Sequence, residues 1–232
     1  MLHPQARFLL DLIEQGGLPP THTLSPPDAR AMYLKRRDFT QPSPPEVADV
    51  RNLQADGPHG PIPLRLYRPL GPPGTAVLPM LVYSIDARDR GDLPIAFQLL
   101  IYTGTDMHRT APSHVENGQG YLLTIETMDY FVGQYIADTA QYDDWRASPL
   151  LHPDLSSLPP AQVLTAGFDP LRDEGAAYAE RLTTAGNRAS HVLFPRQLHG
   201  FVTMAKVIDE ANAAIALRAA ELRRAFQPGA RP

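Results

Sequence analysis

The sequence predicts an α/β protein. The second half of the chain alternates short apolar runs with helical patterns, at 162–166, 170–185, 191–194 and 205–226, as a parallel sheet with crossover helices requires. Earlier runs at Val77–Tyr83 and Ala96–Tyr102 are short and largely apolar, the pattern of strands buried between layers. The composition agrees. With 43% hydrophobic and 20% charged residues, the 232-residue chain can bury a core and is too apolar to be disordered.

Each element has a local reason. Gln5–Gln15 places Phe8, Leu9, Leu12 and Ile13 at helical spacing, and Gly16 with Gly17 ends the helix. A second helix starts after Ser25, with Pro26 and Pro27 in its first turn. Val47–Leu53 and Ile62–Arg68 alternate apolar and polar residues around Asp56 and Gly57, a hairpin signal. Residues 104–120 are polar and turn-rich, and Leu122–Ile136 is helical from Thr124. The strand at Gln162–Ala166 ends at Gly167, the next helix ends at Gly186, and an alanine-rich helix fills Ala205–Phe226. The 25 prolines cluster between these elements and act as punctuation.

Several function classes are excluded or disfavoured. A net charge of -4 argues against a nucleic-acid or anionic-membrane surface. No apolar run approaches the roughly 20 residues that cross a bilayer. The N-terminus carries Arg7, Asp11 and Glu14 among its apolar residues, so it reads as an amphipathic helix and not a signal peptide, with a cytoplasmic location expected. Without cysteine there is no thiolate nucleophile and no disulfide.

The chemistry-bearing residues are Asp169 and His199. Asp169 stands between a strand and Pro170, where its carboxylate can cap the following helix. The same place is the C-terminal edge of the sheet, where open α/β folds build their sites. The two roles are compatible, one on each carboxylate oxygen. His199 lies in Leu-His-Gly-Phe; Gly200 lets the backbone turn and Phe201 anchors the loop. A carboxylate on the neighbouring strand end would hold the Nδ1–H tautomer and leave Nε2 to take a proton. The nucleophile of such a triad is missing, since none of the eight serines sits in Gly-x-Ser-x-Gly. Asp173 and Glu174 read as solvated residues that favour a helix N-terminal half. Asp106, His108 and His114 fit no common ligand spacing and read as solvated, so no metal is expected.

From Ala96 onward the motifs become specific: F-Q-L-L-I-Y, G-T-D-M at 104–107, A-S-P-L at 147–150, L-P-P-A-Q-V-L-T-A-G-F-D-P-L-R-D-E-G at 158–175, A-Y-A-E-R-L at 177–182 and L-H-G-F at 198–201. These resemble the hormone-sensitive lipase-like bacterial carboxylesterases of the α/β-hydrolase superfamily. The helices at 5–15 and 26–35 resemble that family's cap, and the strands at 47–53, 62–68 and 77–83 its first three. Asp169 and His199 fall where the family's acid and base fall. Thr103 stands where the family has Pro, and Arg196 where it has Gly. The largest departure follows Tyr83. There the family has an H-G-G-G oxyanion loop and, further on, the G-D-S-A-G-G nucleophile elbow. Here the strand continues S-I-D-A-R-D-R-G, whose A-R-D-R-G resembles the end of the helix after the elbow. The intervening block reads as an internal deletion. His59 with Gly60 reads as a hairpin turn.

The resemblance implies a truncated α/β-hydrolase: a mostly parallel sheet of about six strands with flanking helices. Residues 1–45 would form the N-terminal cap segment and 46–232 the core, with a cap insertion at about 108–146, all in one structural unit. It implies a carboxylic-ester hydrolase using a Ser-His-Asp mechanism without cofactor, on small acyl esters. With the nucleophile deleted, the alternative is an inactive paralogue that binds a small ligand or a protein, or a defective gene product. Ser84, after the third strand, is a candidate substitute nucleophile, and it lacks the flanking glycines of an elbow. The resemblance also implies a homodimer through the edge strand near 191–194.

Overall fold

The computed structural model describes residues 1–55, 60–68, 81–91 and 95–226. Its centre is a three-stranded parallel sheet, β3 (Gln98–Ile101), β4 (Ala161–Phe168) and β5 (Ala189–Leu198), in that order. The middle strand β4 is buried along most of its length, and its side chains alternate between two cores.

On one face, Val163 and Ala161 of β4 and Leu100 of β3 pack with Ile85 of α3 (Leu81–Arg90) and with Tyr178, Ala179 and Leu182 of α6 (Arg172–Thr184). On the other, Leu164 and Ala166 pack with Leu2, Ala6 and Leu9 at α1 (Pro4–Gln15) and with Ala211 and Ala214 of α7 (Asp209–Ala225). The β4–β5 crossover helix α6, with α3, thus covers one face of the sheet and α1 with α7 covers the other, the layered solution expected of an α/β chain.

The helices start where their caps dictate. His3 accepts from the amide of Gln5 with Pro4 opening α1, and Ser25 accepts from the amide of Asp28 with Pro26 opening α2 (Pro26–Thr40). Thr124 caps α5 (Ile125–Tyr135) in the same way. The turn-rich stretch before it contains a short helix, α4 (Pro112–Asn117).

Three expectations change. The hairpin strands β1 (Asp49–Ala55) and β2 (Ile62–Arg68) pair antiparallel as expected, with Leu53 opposite Leu64, but they form a sheet separate from the parallel one. The turn between them lies partly outside the described residues. Of the strand expected at 77–83, residues 77–80 lie outside the described residues and 81–83 are the first turn of α3. A helix satisfies its own backbone groups, whereas a strand there would need a partner strand; an Asp86–Arg90 ion pair at i,i+4 supports α3 as well. The described residues therefore form five strands, two antiparallel and three parallel, against about six expected.

Candidate active site

β4 and β5 deliver the site. At the end of β4, Gly167 lies so close to the neighbouring strand that a Cβ there would sit 2.1 Å from the Pro195 carbonyl oxygen. This close approach coincides with a register shift between Ala166 and Phe168, and it brings the following loop beside the end of β5. Asp169 is fully buried in that loop. Its Oδ1 accepts from the amide of Leu171 at 2.9 Å, and its Oδ2 lies 2.9 Å from His199 Nδ1. The turn-capping and histidine-orienting positions are both filled, one on each oxygen.

His199 follows β5 directly. Gly200 adopts φ 82°, which a side chain would resist, and the turn buries Phe201 completely against Phe194. The imidazole packs on Tyr102 with ring centroids 5.0 Å apart. Tyr102 itself takes a positive φ of 50° directly after β3, and its hydroxyl accepts from the amide of Val202 at 2.8 Å. Burial pushes its phenol well above the ordinary value, so it stays neutral. The carboxylate contact at Nδ1 favours the tautomer that carries its proton there. The histidine side chain is 27% exposed.

A second set of contacts holds the Asp169 loop. Asn117 of α4 donates to the carbonyls of Gly167 and Asp169, and Ser113 donates to the Pro170 carbonyl at 2.6 Å. Behind them, Glu174 is 2% exposed and accepts from Thr105 and Asp106 amides on Oε1, while Oε2 meets His114 Nε2 at 2.7 Å. Glu174 and His114 are therefore buried, contrary to the solvated roles expected of them. The helical pattern places Glu174 in the first turn of α6, and the packing of α4 and the 104–106 loop over that turn removes it from water. Pro112 opening α4 was the one sequence signal for that helix.

Ser84 is not at a sheet edge. It sits inside α3 at 1% exposure, next to the core residue Ile85. A helical serine lacks the strained strand-to-helix turn that projects a nucleophile. His108 pairs with Asp143 at 3.0 Å, away from the His114–Glu174 pair, and no group of three or more potential ligand side chains converges among the described residues. His191 to Phe194 lie on β5, an outer strand of the parallel sheet, with His191 and Leu193 exposed. Among the described residues, no helix is long and apolar enough to cross a membrane.

Comparison with known proteins places this geometry in context. Residues 80–203 match the family of the alpha/beta hydrolase fold. Carboxylesterase NlhH of Mycobacterium tuberculosis is 40% identical over 143 residues, covering 60% of this chain and 45% of that protein. An ethyl acetate hydrolase of Pseudomonas putida is 40% identical over 115 residues, covering 50% of this chain and 36% of that protein. The chain thus spans less than half the length of these curated relatives. Among solved structures, the ester hydrolase EH1AB1 from the metagenome of Lake Arreo superposes with a TM-score of 0.84 at 30% identity, over 95% of this chain and 98% of that one.

Proposed function

The chain belongs to the α/β hydrolase family, and on that premise we propose that it is a carboxylic-ester hydrolase by descent which keeps the acid–base half of the site and lacks the nucleophile half. The observation that carries this reading is the 2.9 Å contact between His199 Nδ1 and Asp169 Oδ2 at consecutive parallel strand ends. In this reading Asp169 orients the imidazole and stabilises its cation, and His199 Nε2 takes the proton of a nucleophile attacking an acyl ester. The missing serine is assigned to an internal deletion between Tyr83 and Arg90. Support comes from the absence of Gly-x-Ser-x-Gly from the chain.

Loss of the nucleophile lowers turnover by roughly 10⁶-fold in serine hydrolases. The expected outcome is therefore no covalent label from a fluorophosphonate probe and no hydrolysis of p-nitrophenyl acetate above buffer. Labelling at Ser84, with turnover lost in both Ser84→Ala and His199→Ala, would show a rebuilt site and sink the proposal of a missing nucleophile.

A second reading, a non-catalytic module that binds a small ligand or a protein, is favoured by one observation. Ser84 is held inside a helix at 1% exposure while the His199–Asp169 pair is complete and partly open. Saturable stabilisation by short-chain esters without turnover would support it over hydrolysis.

A further inference from the structure

α7 sets Ala211, Ala214 and Arg218 on one stripe, at i, i+3 and i+7. The two alanines are fully buried in the core that contains Leu164, Phe201 and, at its margin, Ile101 and Tyr102. Arg218 continues the stripe at 4% exposure, yet its Nε, Nη1 and Nη2 form no hydrogen bond. A guanidinium carries five N–H donors in a planar fork and accepts nothing in return. Burying it without an acceptor is among the costliest arrangements a core can hold.

The groups that act on it electrostatically do not balance it. Tyr102 is one, and its burial-raised phenol stays neutral and contributes no charge. Glu221 is the other, half-buried on the same helix and not hydrogen-bonded to it. Burial pulls the guanidinium down to about 10, still protonated at neutral pH. One positive charge therefore remains without a counter-charge at hydrogen-bonding distance among the described residues.

We propose that Arg218 anchors a binding site for a small monocarboxylate, whose carboxylate lies on the guanidinium fork. The fork matches a carboxylate with two parallel N–H···O bonds. A monoanion neutralises the charge one for one, whereas a phosphate dianion would leave an excess negative charge in apolar surroundings. The site needs no hydrolytic activity, so it stands or falls apart from the esterase reading.

The test is thermal unfolding of the full chain in acetate, butyrate, chloride and phosphate at matched ionic strength, for the native protein, Arg218→Met and Arg218→Lys. Acetate and butyrate should each raise the native Tm saturably, by about 5 °C at a hundredfold excess over Kd. Chloride should leave it unchanged. Arg218→Met should abolish the butyrate shift while raising the ligand-free Tm, because the unbalanced charge is gone. If Arg218→Met does not fold, Arg218→Lys decides: it keeps the charge, loses the fork and should lose most of the shift. No butyrate effect on the native protein, an equal effect on either variant, or an equal effect of phosphate each overturns the proposal.

Discussion

At Gly167 an alanine Cβ would lie 2.1 Å from the Pro195 carbonyl oxygen and 2.9 Å from the Pro195 Cα. Backbone cannot yield as a flexible side chain does, so Gly167→Ala should push β4 from β5 and cost about 3 kcal/mol. Urea unfolding measures that cost, and the chemical shifts of the His199 ring report whether the Asp169 contact goes with it. His191 supplies a pH dependence. The residue is largely exposed, but partial desolvation of its ring lowers its pKa below the ordinary 6.5, so below pH 6.5 the unfolded chain binds more protons than the folded one. Its contribution to stability is complete above pH 6.5 and falls as the pH drops toward the folded value. Tm measured from pH 7.5 to 5 should decline, and His191→Gln should flatten part of that decline. The Thr165 hydroxyl lies 2.7 Å from the ring, so the titration also reads the β4–β5 contact.

Between elements, the buried Glu174 carboxylate joins three pieces of backbone: the loop after β3 through Thr105 and Asp106, α4 through His114, and α6, which carries it. Removing one partner of a buried hydrogen-bonded pair leaves the other unsatisfied, at about 1–3 kcal/mol. Glu174→Ala should cost that much and speed hydrogen exchange at 104–106 and 112–117 before the strands. Unchanged exchange in α4 would show that Ser113 and Asn117 alone hold it. Element identity was largely legible from the sequence, because caps and periodicity are local: Ser25, Thr124 and Pro4 mark their helices. At 81–83 helix replaces the expected strand, because periodicity does not separate a short buried strand from a buried helix. The partner strand that would decide between them is a tertiary matter.

At the scale of the whole molecule, the parallel sheet ends on β5, whose outer side meets no further strand among the described residues. Such an edge invites pairing with another chain. A homodimer through residues 191–194 is the expected outcome, and light scattering at micromolar concentration should report twice the chain mass. Leu193, 43% exposed, offers a control: Leu193→Lys should shift the protein toward monomer without lowering its Tm, since charge on an edge strand opposes pairing. A monomer in the native protein at these concentrations ends the dimer reading. The separate β1–β2 hairpin belongs to this scale too. Its alternation was plain in the sequence, but alternation says nothing about which sheet a hairpin joins.

The sequence by itself determined the α/β class, the strand–helix alternation after Ala96, and Asp169 and His199 as a pair, because each rests on local patterns and motifs. It also determined that no Gly-x-Ser-x-Gly elbow exists in the chain. The tertiary structure alone decided that Ser84 is a buried helical residue, that Glu174 and His114 leave water for each other, and that Arg218 is buried without an acceptor. Those outcomes depend on what other elements cover, and burial is a property of the packed layers that no window of sequence contains.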